Sequence, residues 1–268
     1  MKLALQHSLN WSDKPVPLSL RAPFLKQVAI RPEKIDRNPF PFNRFPKLLG
    51  DDFKLEFRRP FTIFVGENGS GKSTILQAVA ELAGFHAGGG DSGYQLQNTS
   101  DQSSSELAKA LRPAWLPKVS HGFFFRADTF AEVARYIDDE GNPKIHDFIP
   151  LWERSHGEAF LAVFADRFKP SKRCLYLMDE PESALSPKHQ MALLRLLRQW
   201  EETGNAQIIL ATHSPILMSY PNADLLWFNN ERIEPIQYDE IEHVKIMRAF
   251  LANPAHYIDL LFDEGGKP

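Results

Sequence analysis

The sequence predicts an α/β fold: a three-layer sandwich with a mainly parallel core sheet, helices packed on it, and an antiparallel N-terminal part. Three observations carry this expectation. Three short apolar runs, at residues 61–65, 174–178 and 207–211, have the length and continuous hydrophobicity of strands buried on both faces. The first two of these runs are followed by stretches whose apolar residues recur at helical spacing. Eight prolines, at positions 15, 17, 23, 32, 39, 41, 46 and 60, crowd the first sixty residues and exclude long helices there.

Residues 27–30 and 53–57 read as strands of the proline-rich part. After the run at 61–65, Ile75, Val79 and Leu82 give a helix over 73–83, which Gly84 can end. Residues 86–106 are rich in Gly, Ser, Asp and Gln and predict a mobile loop, with room for an edge hairpin near 93–97. Residues 123–125 suggest a short aromatic strand, followed by a helix over 129–137. Ser186 as N-cap and Pro187 in the first turn open a helix whose expected apolar face is Met191, Leu194, Leu197 and Trp200, and Gly204 closes it. The tail, 224–268, predicts a hairpin followed by helices. Neither an internal repeat nor a sustained heptad is visible, so long coiled-coil arms are not expected.

The 268 residues, 43% of them hydrophobic, suffice for one large domain with a full core. The expectation is a single domain over 1–268, with 1–26 as an N-terminal extension. A net charge of −3 provides no global basic field for nucleic acid, although it leaves a local patch open. Cys174 is the single cysteine, so no internal disulfide can form and a reducing, cytoplasmic setting is expected. The first residues lack the pattern of a signal peptide, and the longest apolar stretches fall well short of the ~18 residues needed to cross a bilayer.

The chemistry is concentrated in three segments. Gly66, Glu67, Asn68, Gly69, Ser70, Gly71, Lys72, Ser73 and Thr74 form a glycine-rich loop between a buried strand and an amphipathic helix. Glycines let backbone N–H groups turn inward around an anion, and the helix N-terminus adds its positive end. In this loop type Lys72 reaches the β- and γ-phosphates of a nucleotide, and the Ser73 hydroxyl binds Mg²⁺. The run at 174–182 ends its apolar part at Asp179 and Glu180, which puts two carboxylates at the ligand-binding edge of a parallel sheet. Asp179 is expected to hold Mg²⁺ and Glu180 to orient or deprotonate the attacking water. The run at 208–215 supplies His213 just past a strand, placed to sense the γ-phosphate.

With FVGENGSGKST, SHGE, DEPE, ALSP and ATHSPIL in this order and spacing, the chain resembles the ABC-type P-loop ATPases, among them compact bacterial ATPases of the AAA-21 type in the SMC and RecF-like branch. The likeness runs over residues 40–251, most of the chain. It implies hydrolysis of ATP with Mg²⁺ as cofactor. It also places Ser155, Gly157 and Glu158, with His156, at the signature motif ahead of a helix over 159–168, where the family binds the partner subunit's γ-phosphate. The resemblance thus implies an ATP-dependent head-to-tail homodimer, with 183–186 as the loop that crosses its interface, acting on an unidentified partner protein. DNA repair and antiviral defence are the settings this branch suggests, and the role of nucleic acid stays open. A transporter's energy-coupling subunit and an ATP-dependent switch with little turnover are the alternatives. The family's metal-sensing Gln is missing; Arg126 and Asp128, in the run at 123–128, stand where it is expected. Phe40, Phe42 and Phe45 are candidates to stack on adenine and are left unassigned.

Overall fold

The computed structural model describes residues 21–36, 40–45, 50, 52–90, 102–129, 161, 164–165, 170–229 and 231–263. Among them two sheets form. Strands β1 (Leu25–Ile30), β2 (Lys54–Glu56) and β4 (Leu111–Trp115) make a small antiparallel sheet in the order β2-β1-β4. The core sheet contains β3 (Phe61–Val65), β5 (Gly122–Arg126), β6 (Cys174–Asp179), β7 (Ala206–Ala211), β8 (Asp224–Phe228) and β9 (Ile233–Pro235). Its order is β5-β6-β7-β3-β8-β9, parallel throughout except for the hairpin partner β9. The predicted α/β architecture, a mainly parallel sheet with an antiparallel N-terminal part, is the one observed.

Alternation along the central strands explains the layers. Every residue of β3, β6 and β7 is buried, so each strand feeds two cores. Phe61, Ile63, Val65, Tyr176, Met178, Ile208 and Leu210 face one side, where helix α3 (Pro187–Thr203) lays down Leu193, Leu197 and Trp200. Phe64, Leu175, Leu177, Ile209 and Ala211 face the other, where helix α1 (Lys72–Ala83) and the small sheet close over them. Gln207 crosses between the sheets: its Oε1 accepts from the N–H of Phe24 at 2.7 Å and of Leu25 at 2.8 Å, and its Nε2 donates to the Leu25 carbonyl at 2.9 Å.

Three sequence expectations need correction or lie outside the description. The buried row of α3 is Gln190, Leu193, Leu197 and Trp200; Met191 is 57% exposed and Leu194 only partly buried. Gln190 displaces Met191 because its amide is used: Nε2 donates to the Leu185 carbonyl at 2.9 Å, and Oε1 accepts from Ser214 Oγ at 2.5 Å. Within the stretch read as a loop, helix α2 (Gln102–Ala110) has already begun, and it leads directly into β4. The hairpin near 93–97 and the helix beyond Thr129 lie outside the described residues, as do 159–168 apart from 161 and 164–165. The tail continues from the β8–β9 hairpin into α5 (Glu242–Ala252) and α6 (Pro254–Asp263), with the short helix α4 (Pro215–Met218) ahead of β8. Among the described residues no helix is long and apolar enough to cross a membrane.

Candidate functional site

The carboxyl ends of β3, β5, β6 and β7 gather most of the predicted site residues. The loop from Gly66 to Gly71 joins β3 to α1, and its shape is enforced by glycine. Gly66 has φ 147°, and a Cβ there would stand 2.4 Å from the Phe228 carbonyl. Gly71, the N-cap of α1, has φ 94°, and a Cβ there would stand 3.1 Å from the ring of Phe45. With glycine at the cap no side chain takes the first N–H groups of α1, so they and the positive end of the helix are available to an anion. Lys72 is buried at the start of α1, and its Nζ donates to the carbonyls of Gly66 at 2.8 Å and Glu67 at 2.9 Å. Burial pushes its pKa below the ordinary lysine value, opposed first by Glu180 and then by Asp179.

Ser73 Oγ donates to Asp179 Oδ1 at 2.8 Å, bringing together the two residues predicted to bind metal. Burial raises the Asp179 pKa to about 6, against the hydrogen bond from Ser73 and the charge of Arg126. A hydroxyl beside a single carboxylate is the donor set Mg²⁺ uses when phosphate oxygens and water complete its shell. Those two residues therefore fit the ion that the fold family implies.

Glu180 follows with backbone angles φ 47° and ψ 52°, in the left-handed region and the single such non-glycine residue among those described. Its N–H still donates to the Ala211 carbonyl at 2.9 Å, and its own carbonyl accepts from Ser183 Oγ at 2.6 Å. The reversed backbone turns its side chain, 44% exposed, toward His213, with Oε1 3.6 Å from Nε2. That separation is too long for a direct hydrogen bond. Burial, then the charge of Lys72, lowers the pKa of His213 and favours the neutral ring.

Two residues that sequence reasoning missed fix His213. Glu182 is largely buried, and its Oε1 accepts the His213 N–H at 2.6 Å. Burial raises its pKa, while the His213 N–H and the Thr212 hydroxyl act in the opposite direction. His243, at the start of α5, sets its ring edge-on to His213 at 5.3 Å, with its Nε2 3.5 Å from Glu67 Oε1. Glu182 stands inside a quoted motif, so position could have flagged it. His243 has no spacing relation to any motif.

Ser73, Arg126, Asp128, Asp179, Glu180 and Ser183 line one cavity of about 700 Å³. Phe42 and Phe45 are core residues, and Phe40 packs edge-on to Phe45 at 5.7 Å. Ser155, Gly157 and Glu158 lie outside the described residues.

A parallel sheet with a glycine loop, a lysine, a serine–aspartate pair and a following glutamate at its carboxyl edge defines a P-loop nucleotide hydrolase. Two family models match: "AAA domain, putative AbiEii toxin, Type IV TA system" over residues 159–219, and "AAA domain" over 42–107. The hemin import ATP-binding protein HmuV of Streptomyces coelicolor is 30% identical over 193 residues, covering 65% of this chain and 67% of that protein. The zinc import ATP-binding protein ZnuC of Cereibacter sphaeroides is 30% identical over 161 residues, 58% of this chain and 62% of that one. The chain spans between 48% and 67% of the length of the first curated relatives it matches. Similar solved structures include cbiO1 of Clostridium perfringens (18% identity, TM-score 0.43, 79% of this chain and 91% of that one). An SMC head bound to the C-terminal winged-helix domain of ScpA is also similar (12% identity, TM-score 0.43, 80% of this chain and 97% of that one). The chain belongs to the ABC-type P-loop ATPases.

Proposed function

We propose that this ATPase uses Mg²⁺-dependent hydrolysis of ATP to ADP and phosphate to open and close a head-to-tail homodimer, and that this motion acts on a partner protein in the cytoplasm. The observation that carries the reading is the convergence of the Ser73–Asp179 hydrogen bond with the Glu180–His213 pair at one sheet edge. Lys72 and the backbone amides of residues 66–74 hold the phosphates. Ser73 and Asp179 would hold Mg²⁺, which when bound would offset the negative charge that develops on the phosphates. Glu180 accepts the proton of the attacking water as its oxygen bonds to the γ-phosphorus and ADP leaves. His213, its backbone pinned by Glu182, contacts the water and the γ-phosphate. Ser155, Gly157 and Glu158 bind the nucleotide held by the other subunit. DNA repair or antiviral defence is the setting the signature motif favours. The import ATPases among the relatives support a second reading, an energy-coupling subunit of a membrane transporter, which co-purification with an integral membrane protein would establish.

Glu180→Gln tests the division of labour. Glutamine keeps the size of glutamate but cannot take a proton, and loss of a general base typically costs about 10²–10⁴-fold in rate. The variant is expected to bind ATP, turn it over slowly, and elute as a dimer only with ATP and Mg²⁺. Adding Ser155→Arg is expected to restore the monomer. Light scattering after size-exclusion chromatography decides; a monomeric Glu180→Gln protein in saturating ATP refutes the sandwich for the isolated chain.

A further inference from the structure

The end of β5 brings an unusual side chain to the site. Arg126 is the register partner of Asp179 across the β5–β6 ladder, so its backbone reaches the same sheet edge as the metal-binding pair. Its side chain is only 18% exposed. A guanidinium taken this far out of water needs partners, and it has three contacts. Nε and Nη2 form a two-pronged bond to Asp128, at 3.1 Å to Oδ1 and 2.8 Å to Oδ2, and Nη1 donates to the Ala87 carbonyl at 3.3 Å. The carboxylate is far more exposed than the cation it holds, at 61%. The pair therefore runs from inside the cavity to its rim, with Ser73, Asp179 and Glu180 on the same walls.

The surrounding backbone is built to hold this arm. Gly90 and Phe124 exchange two backbone hydrogen bonds at 2.8 and 2.9 Å, an antiparallel bridge that sets Gly90 alongside β5. Thr129 Oγ1 donates to the Gly88 carbonyl at 2.8 Å, fastening the turn that carries Asp128. Gly89, at φ 106°, lies against Thr129 and the Phe124 carbonyl, where a Cβ would come within 3.1 and 3.3 Å.

We infer that Arg126 is a phosphate-binding arm for the terminal phosphate of the nucleotide, and that Asp128 competes with that phosphate for the same guanidinium fork. The inference rests on the reading that a nucleoside triphosphate occupies the glycine loop. Its chemistry is specific. The planar fork of arginine matches two oxygens of a phosphate as well as two of a carboxylate. Asp128 is the weaker competitor because it is open to water, which screens the pair. A terminal phosphate beside Ser73 and Asp179 would lie in the cavity that Arg126 lines, whereas a diphosphate would present no group there. Arg126 thus distinguishes ATP from ADP, and Asp128 sets how strongly.

The test is equilibrium binding of ATP and ADP, with Mg²⁺, to the full chain carrying Glu180→Gln to suppress turnover. Arg126→Ala is expected to weaken ATP binding about tenfold or more, as for loss of a charge-assisted hydrogen bond, and to leave ADP binding unchanged. Arg126→Lys keeps the cation but not the fork and should fall between. Asp128→Asn should act in the opposite direction, tightening ATP alone. If Arg126→Ala weakens ATP and ADP equally, or neither, Arg126 only pins the turn and the inference is overturned. Should that variant fail to fold, Asp128→Asn decides, because unchanged ATP binding there refutes the competition. Lys72→Ala separates the two levels, since it should abolish binding of both nucleotides. ATP affinity unchanged by Lys72→Ala would overturn the phosphate-loop reading and the inference with it.

Discussion

Asp179 binds a proton more tightly in the folded chain than in the unfolded one, because burial raises its pKa from 3.8 to about 6. Between those pH values the folded state carries the extra proton, so ionised Asp179 costs stability at neutral pH, and the cost fades as pH falls through the window. A shift of this size corresponds to on the order of 3 kcal/mol. Asp179→Asn keeps an oxygen for Ser73 and removes the charge. In EDTA its urea midpoint should exceed that of the parent at pH 7, with the difference shrinking toward pH 4. The same variant should lose Mg²⁺-dependent turnover. Glu180 shows a similar conflict in its backbone: a non-glycine residue at φ 47° is strained, and the reward is a carboxylate facing His213. Lys72, Ser73, Asp179, Glu180 and His213 were legible because loop spacing and strand ends specify them. The Ala87 contact of Arg126 and the bond of Glu182 to the His213 N–H depend on a side chain meeting backbone across 39 and 31 residues of chain, which local pattern does not encode.

Helix α3 illustrates how element-level reading succeeds and where it slips. Its cap, proline start and glycine end follow from local chemistry: Ser186 accepts from the His189 N–H, Pro187 needs no donor, and Gly204 takes φ 71°. The buried face was read one residue off at its start because hydrophobicity ranked Met191 above Gln190. The fold instead uses the Gln190 amide to tie the Leu185 carbonyl to Ser214, next to the His213 turn. Leu197→Ala, at a fully buried position, is therefore expected to cost about 2–5 kcal/mol. Met191→Ala, at an exposed one, should stay within about 0.5 kcal/mol. Chemical denaturation of the two variants distinguishes these faces. Helix α2 escaped prediction because its Ser- and Gln-rich start has loop composition, and the core residues described in it, Leu107 and Ala110, come at its end. At α5 Val244 is buried in the core, while His243 beside it brings its Nε2 to 3.5 Å from Glu67 Oε1 and lies edge-on to His213, so the tail touches the phosphate loop.

At the scale of the whole molecule, the layers follow from strands that are apolar on every residue, and that much was visible in three short runs. The pairing of the small sheet was not, because β1 and β4 are separated by the phosphate loop and α1, and one side chain adds hydrogen bonds to the apolar packing between the sheets. Gln207 engages Phe24 and Leu25 from a strand more than 180 residues away. Its amide makes the first residues of β1 reporters on the centre of the protein. Phe24 N–H lies just outside the strand and would fray in an ordinary sheet, but here it can exchange with solvent deuterium only when β7 loosens. Its protection should approach that of the β7 amides, so that two distant segments open as one cooperative unit. Gln207→Leu should uncouple them, speeding exchange at Phe24 and Leu25 far more than at Ile209. Equal slowing or speeding at all three sites would show that the sheets are joined by packing alone.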